Sequence, residues 1–386
     1  MSGPGGGRPP RVLHVIDSLQ SGGAERYLAT LVPQLTRDRR AESVVRVGGS
    51  GNANPAFVEA IRTHAADFAF MEADAIYDPR RYLEIARAVH RFRIDVVHSH
   101  LNIANATSRL IAAALRKPHV ATIQLAPYPI AEDARRRVLA DGATARLSTR
   151  VVGVSPQTAD VYASAFRVPR RRMRVILNVP ERRLPPPNFD RAEMRKALAG
   201  DDDVQLVCTL CRLEERKGIA DLIAAVRELR VELPRLRVVV AGVGPDESRL
   251  RQAIQDAGVE GIVRLLGYRE DVGAILAASE VFCLPSHHEG LPVSVLEAML
   301  AGVPCVATDA GGTGHVVRDG ETGLLVPPKS PGALAQALRR ILTNEALARR
   351  VRDAAGRLVA ECCTKEVVAG QYGDLYDELV SGGRRA

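Results

Sequence analysis

The sequence predicts an α/β protein with two doubly wound domains, each built on a parallel sheet covered by helices. The chain has 386 residues, which is long for a single core and makes two domains the natural expectation. Strand-like apolar runs alternate with amphipathic helical runs along the chain, and strands that are apolar on both faces are typical of buried parallel sheets. A polar, Pro-rich stretch at 180–203 divides this alternating series in two.

These features give the predicted organisation. Residues 1–10 (MSGPGGGRPP) have the composition of a disordered tail. Residues 11–180 form the first domain, 181–203 the linker, and 204–365 the second domain. Residues 366–386 follow the last strand, and their helix is placed so that it can cross back to the first domain. Two such domains, facing each other, leave a cleft at the carboxyl ends of their strands, where these sheets bind ligands.

The individual strands are short apolar runs that end in polar or Gly-containing loops. In the first domain the predicted strands are RVLHVID, VVRVGG, DVVHSH, HVATIQ, RVVGVS and MRVILN. In the second they are VQLVCTL, RLRVVVAG, IVRLLG, VFCLPS, PCVATD and GLLVPP. Helical periodicity is clearest in GGAERYLATLVPQL, RRYLEIARAVHRF, ATSRLIAAALR and KEVVAGQYGDLYDELV.

Composition narrows the class of partner. The net charge is +8, which suits nucleic acid, an anionic membrane or an anionic small ligand. Aromatic residues make up 4% of the chain and Trp is absent, so we expect no stacking platform and no nucleic-acid binding. No apolar run is long enough to span a bilayer and no signal-peptide pattern is present, which predicts a cytoplasmic protein. The basic runs Arg135–Arg137 and Arg170–Arg172 are either solvated surface or a peripheral contact with the inner membrane face.

A pair of cations follows the first strand of the second domain. In CTLCRLEERKG, Arg212 and Lys217 lie where the strand ends, at the edge that lines the crevice of such sheets. Arg offers a fork for two phosphate oxygens and Lys adds a point charge, so together they suit a diphosphate. The alternative is that both are solvated loop charges paired with Glu214 and Glu215.

A pair of carboxylates lies in SHHEGLPVSVLEAMLAG (286–302). Pro292 near the start and Gly302 after the end predict a helix over 291–301. Glu289 lies at its mouth, where it is suited to grip sugar hydroxyls or merely to compensate the helix dipole. Glu297 lies among apolar residues, where it is suited to accept hydrogen bonds from a ribose diol, or else is partly exposed near the helix end.

Further strand-to-loop junctions have the same polarity. Gly22 and Gly23 separate the first strand from its helix, and glycines there let the backbone approach a phosphate. Gly242 follows the strand RLRVVVA, and Tyr268 and Arg269 follow IVRLLG. The G-x-G-x-x-G unit of dinucleotide-binding oxidoreductases is absent. Together these loops predict one nucleotide-sized crevice.

The assembled motifs resemble those of the retaining, nucleotide-sugar-dependent glycosyltransferases of family 4, which have the two-domain GT-B fold. EGLPVSVLE is similar to their E-x7-E element, and CRLEERKG to their G-R-L-x-x-x-K-G element, with Cys211 in place of the first Gly. GGAERYL resembles their G-G-x-E loop, and GETGLLVPP the segment after the donor site. The resemblance extends through nearly all of 11–376.

The resemblance implies a role for each matching residue. Arg212 and Lys217 would bind the donor diphosphate and stabilise the leaving group, with Glu289 as the third catalytic residue. Glu297 would hold the ribose hydroxyls. The resemblance also implies that Gly290 and Leu291 contact the donor sugar and that Gly22 and Gly23 approach the phosphates. Gly242, Tyr268 and Arg269 are predicted to bind substrate from their place at the strand ends. Members of this family need neither metal nor cofactor, and the nucleotide sugar is a co-substrate.

The sequence also departs from the family pattern. Many relatives have His at the end of the strand HVATIQ, where this chain has Gln124. Gln cannot act as an acid or base but can hydrogen-bond a sugar hydroxyl. His100, at the end of the neighbouring strand DVVHSH, either contributes to the substrate site or has a structural role.

The predicted function is therefore transfer of a hexosyl or pentosyl group, from UDP-sugar in preference to GDP-sugar, to a hydroxyl of a small soluble acceptor such as an aminocyclitol or another glycoside. One alternative is a membrane-associated enzyme that acts on a lipid or lipid-linked glycan. Another is a nucleotide-sugar-binding protein without transfer activity. The oligomeric state is left open.

Overall fold

The computed structural model describes residues 8–20, 22–73, 75–125 and 132–383, apart from the side chains of 132–137 and 383. The chain divides into two compact units: the first comprises 1–179 with 364–386, and the second comprises 180–363. Each unit contains one sheet in which every paired strand is parallel. The predicted fold class, two Rossmann-like α/β domains, is confirmed.

The first unit has a seven-stranded sheet in the order β3-β2-β1-β4-β5-β6-β7. Its strands are β1 (Arg11–Ile16), β2 (Glu42–Val47), β3 (Asp67–Phe70), β4 (Val96–His100), β5 (His119–Ile123), β6 (Arg150–Gly153) and β7 (Met173–Val175). Its helices up to the boundary are α1 (Gly23–Arg37), α2 (Pro55–His64), α3 (Pro79–Arg91), α4 (Asn102–Ala114), α5 (Glu132–Thr144) and α6 (Pro156–Phe166). The central strands β4 and β5 are buried along their whole length, as expected for strands covered on both faces.

The second unit has a six-stranded sheet in the order β10-β9-β8-β11-β12-β13. Its strands are β8 (Gln205–Leu210), β9 (Leu236–Ala241), β10 (Val263–Gly267), β11 (Val281–Leu284), β12 (Cys305–Thr308) and β13 (Leu324–Val326). Its helices are α7 (Arg191–Ala199), α8 (Ile219–Leu229), α9 (Glu247–Ala257), α10 (Val272–Ala278), α11 (Val293–Leu300), α12 (Thr313–Val316), α13 (Pro331–Thr343) and α14 (Glu345–Cys362). All six strands lie in the segments that the apolar runs predicted.

The last helix, α15 (Lys365–Gly383), belongs to the first unit. It packs against α1, and its apolar residues join the core beneath the sheet's central strands. Tyr372 and Tyr376 are fully buried. The Tyr376 hydroxyl lies 2.7 Å from Nδ1 of His98 on β4. The chain therefore leaves the first unit at 179 and returns to complete its core.

Three segments differ from the sequence-based expectation. The predicted linker contains α7, which packs against α10 and lies in the second unit. Asp190 caps α7 by accepting from the amides of Ala192 and Glu193, and Gly200 ends it with φ +83°. These are helix start and stop signals that the prolines obscured. Helix α2 and strand β3 were not predicted. The strand gives a weak signal because it is only four residues long. Residues 1–7 of the predicted tail lie outside the described residues. Arg8, in the same predicted tail, forms an ion pair with Asp95.

The strand order places the same feature in both units. The first strand of each sheet, β1 or β8, lies beside the fourth, β4 or β11, and the connections leave this pair in opposite directions. Ligands of doubly wound sheets bind at this switch point, at the carboxyl ends of the strands. In the described parts of the chain, no helix combines the length and apolar character needed to cross a membrane.

Candidate active site

The predicted donor residues lie at the switch point of the second unit. Lys217 is in the loop between β8 and α8, and Glu289 is in the loop between β11 and α11. The Nζ atom of Lys217 lies 2.5 Å from Oε1 of Glu289. Two loops that are 72 residues apart in sequence thus bring opposite charges into contact at the position where this fold binds ligands.

Glycine geometry explains how Lys217 is held there. Residues Glu215–Lys217 form one turn of 3-10 helix, which Gly218 ends with φ +65°. A Cβ atom at 218 would lie 2.0 Å from the carbonyl oxygen of Pro285. Only glycine therefore fits, because it tolerates both the left-handed backbone and the approach of the neighbouring loop.

Glu289 is held by several contacts. Its side chain is buried, with 6% of the residue exposed. The Ser286 hydroxyl donates to Oε1 at 2.7 Å, and NH1 of Arg216 lies 3.9 Å from Oε2. Behind it, Gly311 has φ +57°, and a Cβ there would lie 1.8 Å from the Glu289 carbonyl oxygen. The cation and the hydroxyl together fix the position of this carboxylate.

Glu297 lies on α11, as predicted, and is 6% exposed. It is thus buried, which disagrees with the alternative of a partly exposed side chain near the helix end. Nε of Arg183 lies 3.4 Å from its Oε1. Helix α11 is slightly shorter than the predicted 291–301, because Pro292 is its N-cap and not its first residue.

The other predicted residues of the second unit take up varied positions. Arg212 has a side chain that is 66% exposed and is paired with Glu214 at 2.9 Å. Gly242 has φ +149°, and a Cβ there would lie 1.8 Å from the Cys211 carbonyl oxygen. Gly290 and Leu291 are buried. Tyr268 is exposed, whereas Arg269 forms two hydrogen bonds with Asp271.

Cys211 stands where relatives have glycine. Its thiol is close to the charged loop, but burial raises its pKa to about 12. It is therefore a neutral thiol at physiological pH and adds no charge to the site.

In the first unit, the two predicted glycines have different surroundings. Gly22 is the N-cap of α1, and a Cβ there would lie 2.2 Å from Oε2 of Glu25. Gly23 has no described atom within 4 Å of that position. Glu25 is buried, its Oε1 accepts from the Ser18 hydroxyl at 3.1 Å, and burial raises its pKa. Gln124 follows β5, half-buried, and its Nε2 has no partner among the described residues.

Of the two roles predicted for His100, substrate binding and a structural role, its surroundings favour the structural one. Its ring is fully buried and stacks on that of His14 with centroids 5.9 Å apart. Neither ring nitrogen has a partner among the described residues. His98, next to it on β4, uses both ring nitrogens in 2.7 Å hydrogen bonds to the Tyr376 and Thr122 hydroxyls. Alternation along β4 points both histidines into the layer that α15 covers, so this arrangement is part of the core.

Sequence reasoning missed two positions that support the strand-end loops. Ser286 donates to Glu289, and the only local signal for this role is its spacing of three residues before that carboxylate. Asp17, directly after β1, accepts from the amides of Ile103 and Ala104 at the start of α4, and from the fully buried Arg81 at 2.6 Å. No local motif marks Asp17, because its partners come from two distant helices.

Comparisons with known proteins support the family. Residues 190–357 match the family model described as glycosyl transferases group 1. Residues 21–179 match the model of glycosyltransferase family 4.

Curated relatives include two bacterial enzymes. The chain is 31% identical over 191 residues to an alpha-D-kanosaminyltransferase of Streptomyces kanamyceticus, covering 49% of each chain. It is 32% identical over 148 residues to a 2-deoxystreptamine N-acetyl-D-glucosaminyltransferase of Niallia circulans, covering 38% of each. The matched region spans about half, or less, of these relatives.

Solved structures resemble the chain over nearly its whole length. The Anabaena protein HepE, in a complex with UDP and glucose, has a TM-score of 0.82 at 20% identity, covering 96% of this chain and 100% of that one. Sucrose-phosphate synthase from Thermosynechococcus elongatus has a TM-score of 0.79 at 21% identity, covering 96% and 100%. These similarities establish the fold. With the two family models matching one unit each, the chain belongs to the family 4-like glycosyltransferases of the GT-B fold.

Proposed function

We propose that this protein is a retaining, metal-independent glycosyltransferase that binds a nucleotide diphosphate sugar in its second unit and transfers the sugar to an acceptor hydroxyl. The observation that carries the proposal is the contact between Lys217 and Glu289 at the switch point of that unit. A cation and a carboxylate held side by side suit a donor that presents a diphosphate next to sugar hydroxyls.

Donor binding would exchange the partners of this pair. A diphosphate oxygen would take over Lys217, and the exposed guanidinium of Arg212 would reach a second oxygen. Glu289, which Ser286 still holds, would then have lone pairs for sugar hydroxyls. Glu297 would accept from the ribose diol, and the phosphate contact expected for Gly22 and Gly23 stays a prediction from the sequence.

The chemical step then needs only groups that the donor and the protein supply. The bond between the anomeric carbon and the phosphate oxygen breaks, and the acceptor oxygen bonds to the same face of that carbon. The acceptor proton passes to the departing phosphate oxygen, so no protein base is needed and Gln124 is compatible with turnover. Lys217 and Arg212 stabilise the charge that develops on the diphosphate. Metal ions have this role in other transferases.

UDP is the favoured nucleotide, and a small soluble hydroxyl compound the favoured acceptor. Solved structures with the same fold carry UDP, and two relatives are named for kanosaminyl transfer and for transfer to 2-deoxystreptamine. One similarity supports the alternative of a lipid-linked acceptor: the chain also resembles a lipopolysaccharide core glycosyltransferase of Rhizobium meliloti. Of the basic runs, the side chains of Arg135–Arg137 lie outside the described residues. Arg170–Arg172 form one turn of 3-10 helix before β7.

The test is a turnover assay with UDP-glucose, UDP-N-acetylglucosamine and GDP-mannose, each with 2-deoxystreptamine or with anionic vesicles that carry lipid extract. Three results together would support the proposal: release of nucleoside diphosphate that depends on an acceptor, release that persists in EDTA, and an α-linked product by NMR. Release that needs a divalent ion, or a product with inverted configuration, would contradict it. Nucleotide-sugar binding without release under any condition would favour the non-catalytic alternative.

A further inference from the structure

We infer that His287 is a positioning residue for the donor diphosphate, which holds the loop carrying Lys217 in its binding position. The inference rests on the proposed function, because it concerns the same loop. His287 lies between Ser286 and Glu289 in the loop after β11, but its side chain points to the other loop and not to the carboxylate.

Two hydrogen bonds connect His287 to the Lys217 loop. Its backbone amide donates to the carbonyl oxygen of Arg216 at 2.7 Å. Its Nε2 lies 2.8 Å from Oδ2 of Asp221, in the first turn of α8. A carboxylate only accepts, so Nε2 carries the hydrogen. The side chains of His287 and Asp221 are 16% and 22% exposed, so the bond is largely shielded from water.

The partners of these two bonds, Arg216 and Asp221, flank Lys217 and Gly218 in the sequence. A Cβ at Gly218 would lie 3.0 Å from Nε2 of His287 and 2.0 Å from the Pro285 carbonyl oxygen. The turn that follows Lys217 is therefore pressed against the His287 loop, and the His287–Asp221 bond keeps it there. Without that bond, the start of α8 and the turn before it would be free to move away from β11.

The position of Lys217 matters at the level of ångströms. Its ammonium group contacts Glu289 on the same loop as His287, so the spacing between the loops fixes where a phosphate oxygen would meet both. Binding groups that are loose by about 1 Å lose much of their effect. His287 thus acts through Lys217, without touching the donor itself.

The experiment compares nucleotide diphosphate and monophosphate binding in four proteins by calorimetry. His287→Leu removes the N–H group that bonds to Asp221, and His287→Gln places an amide N–H near the position of Nε2. His90→Leu, on the exposed face of α3, is the matched control. We expect His287→Leu to weaken UDP binding about tenfold and UMP binding by less than threefold. The Gln variant and the His90 control should stay within threefold of the wild type for both ligands.

Equal UDP binding by the wild type and His287→Leu would overturn the inference, and so would equal losses of UDP and UMP binding, which indicate a general structural role. If His287→Leu does not fold, Asp221→Ala in the wild type and in His287→Gln provides the same comparison, because alanine removes the acceptor of the hydrogen bond. A ratio of UDP to UMP affinity unchanged in both would then overturn it. A wild type that binds neither UDP nor GDP would instead contradict the proposed function.

Discussion

The two units share one strand order but use their switch points differently. In the second unit, the loops after β8 and β11 meet through Lys217 and Glu289, whose contact the proposed donor would replace. In the first unit, the loop after β1 carries Asp17, which is bound to the amides at the start of α4 and to the buried Arg81. One switch point thus has a charge pair between its two loops, and the other has an internal anchor bound to a neighbouring helix and a buried Arg.

The same difference appears in the histidines. In the first unit, His14, His98, His100 and His119 are buried in the sheet, and burial lowers the pKa of each. In the second unit, His287 is half-buried in a strand-end loop and bonds to Asp221. Identical side chains serve core packing in one unit and loop positioning in the other. The comparison teaches that polar residues at strand ends must be judged by their partners, because their position alone does not decide their role.

The largest expected effect is on the stability of the first unit. Asp17→Ala would leave the Arg81 charge buried without its carboxylate and two helix amides without their acceptor. We expect a loss of about 3–5 kcal/mol in the free energy of unfolding, measured by urea denaturation. Glu232→Ala, which breaks an exposed pair with Arg339, is the control and should cost at most about 1 kcal/mol. Equal losses in the two variants would show that Asp17 is not an anchor.

The second effect is on turnover in the second unit. Lys217→Ala removes the cation proposed to stabilise the leaving diphosphate, and we expect kcat to fall by about 10²–10³-fold. Urea denaturation should show a smaller change than for Asp17→Ala, because Ser286 and Arg216 still hold the Glu289 carboxylate after the change. An unchanged kcat with a large loss of stability would reverse the comparison between the two units.

The third effect is on the pH dependence of stability. A buried histidine with a lowered pKa binds its proton only in the unfolded chain at mildly acid pH. Its stabilising contribution is therefore complete above about pH 6.5 and is lost as pH falls, by about 1.4 kcal/mol per pH unit for each such group. The His14 pKa is lowered to about 3, so for that residue the loss continues to about pH 3.

Hydrogen exchange between pH 7 and pH 5 should therefore show the first unit losing protection before the second. His100→Phe removes one buried titrating group whose nitrogens have no partner among the described residues. The substitution should make the free energy of unfolding of the first unit fall less steeply with falling pH, by about 1.4 kcal/mol per pH unit. A slope identical to that of the wild type would mean that His100 is already protonated or exposed in the folded protein.

The smallest effects distinguish two adjacent glycines. Gly22→Ala forces the Glu25 carboxylate to move, and we expect a cost of about 1 kcal/mol in stability. Gly23→Ala meets no described atom and should stay within about 0.5 kcal/mol of the wild type. If the backbone at 23 approaches the donor phosphates, Gly23→Ala should nevertheless raise KM for the donor severalfold. An unchanged KM would remove Gly23 from the proposed site.

The sequence was sufficient to predict the elements whose signals are local. All six strands of the second unit follow apolar runs, and Glu289 and Glu297 lie in the predicted loop and on the predicted helix after β11. It was not sufficient where a role depends on distant partners. His100 is a core residue because α1 and α15 cover β4, and Asp17 is an anchor because α3 and α4 meet beside β1. The helix in the predicted linker was missed because its capping residues lie next to a run of prolines.

The most direct measurement of the central claim is calorimetric binding of UDP and GDP to the wild type and to the Arg212→Ala/Lys217→Ala double variant. Two charge-assisted contacts to the diphosphate should together make the wild-type Kd roughly 10²-fold lower than that of the variant. The corresponding monophosphate should lose less. Equal affinity of the two proteins for the nucleotide that binds would contradict a diphosphate site at these cations.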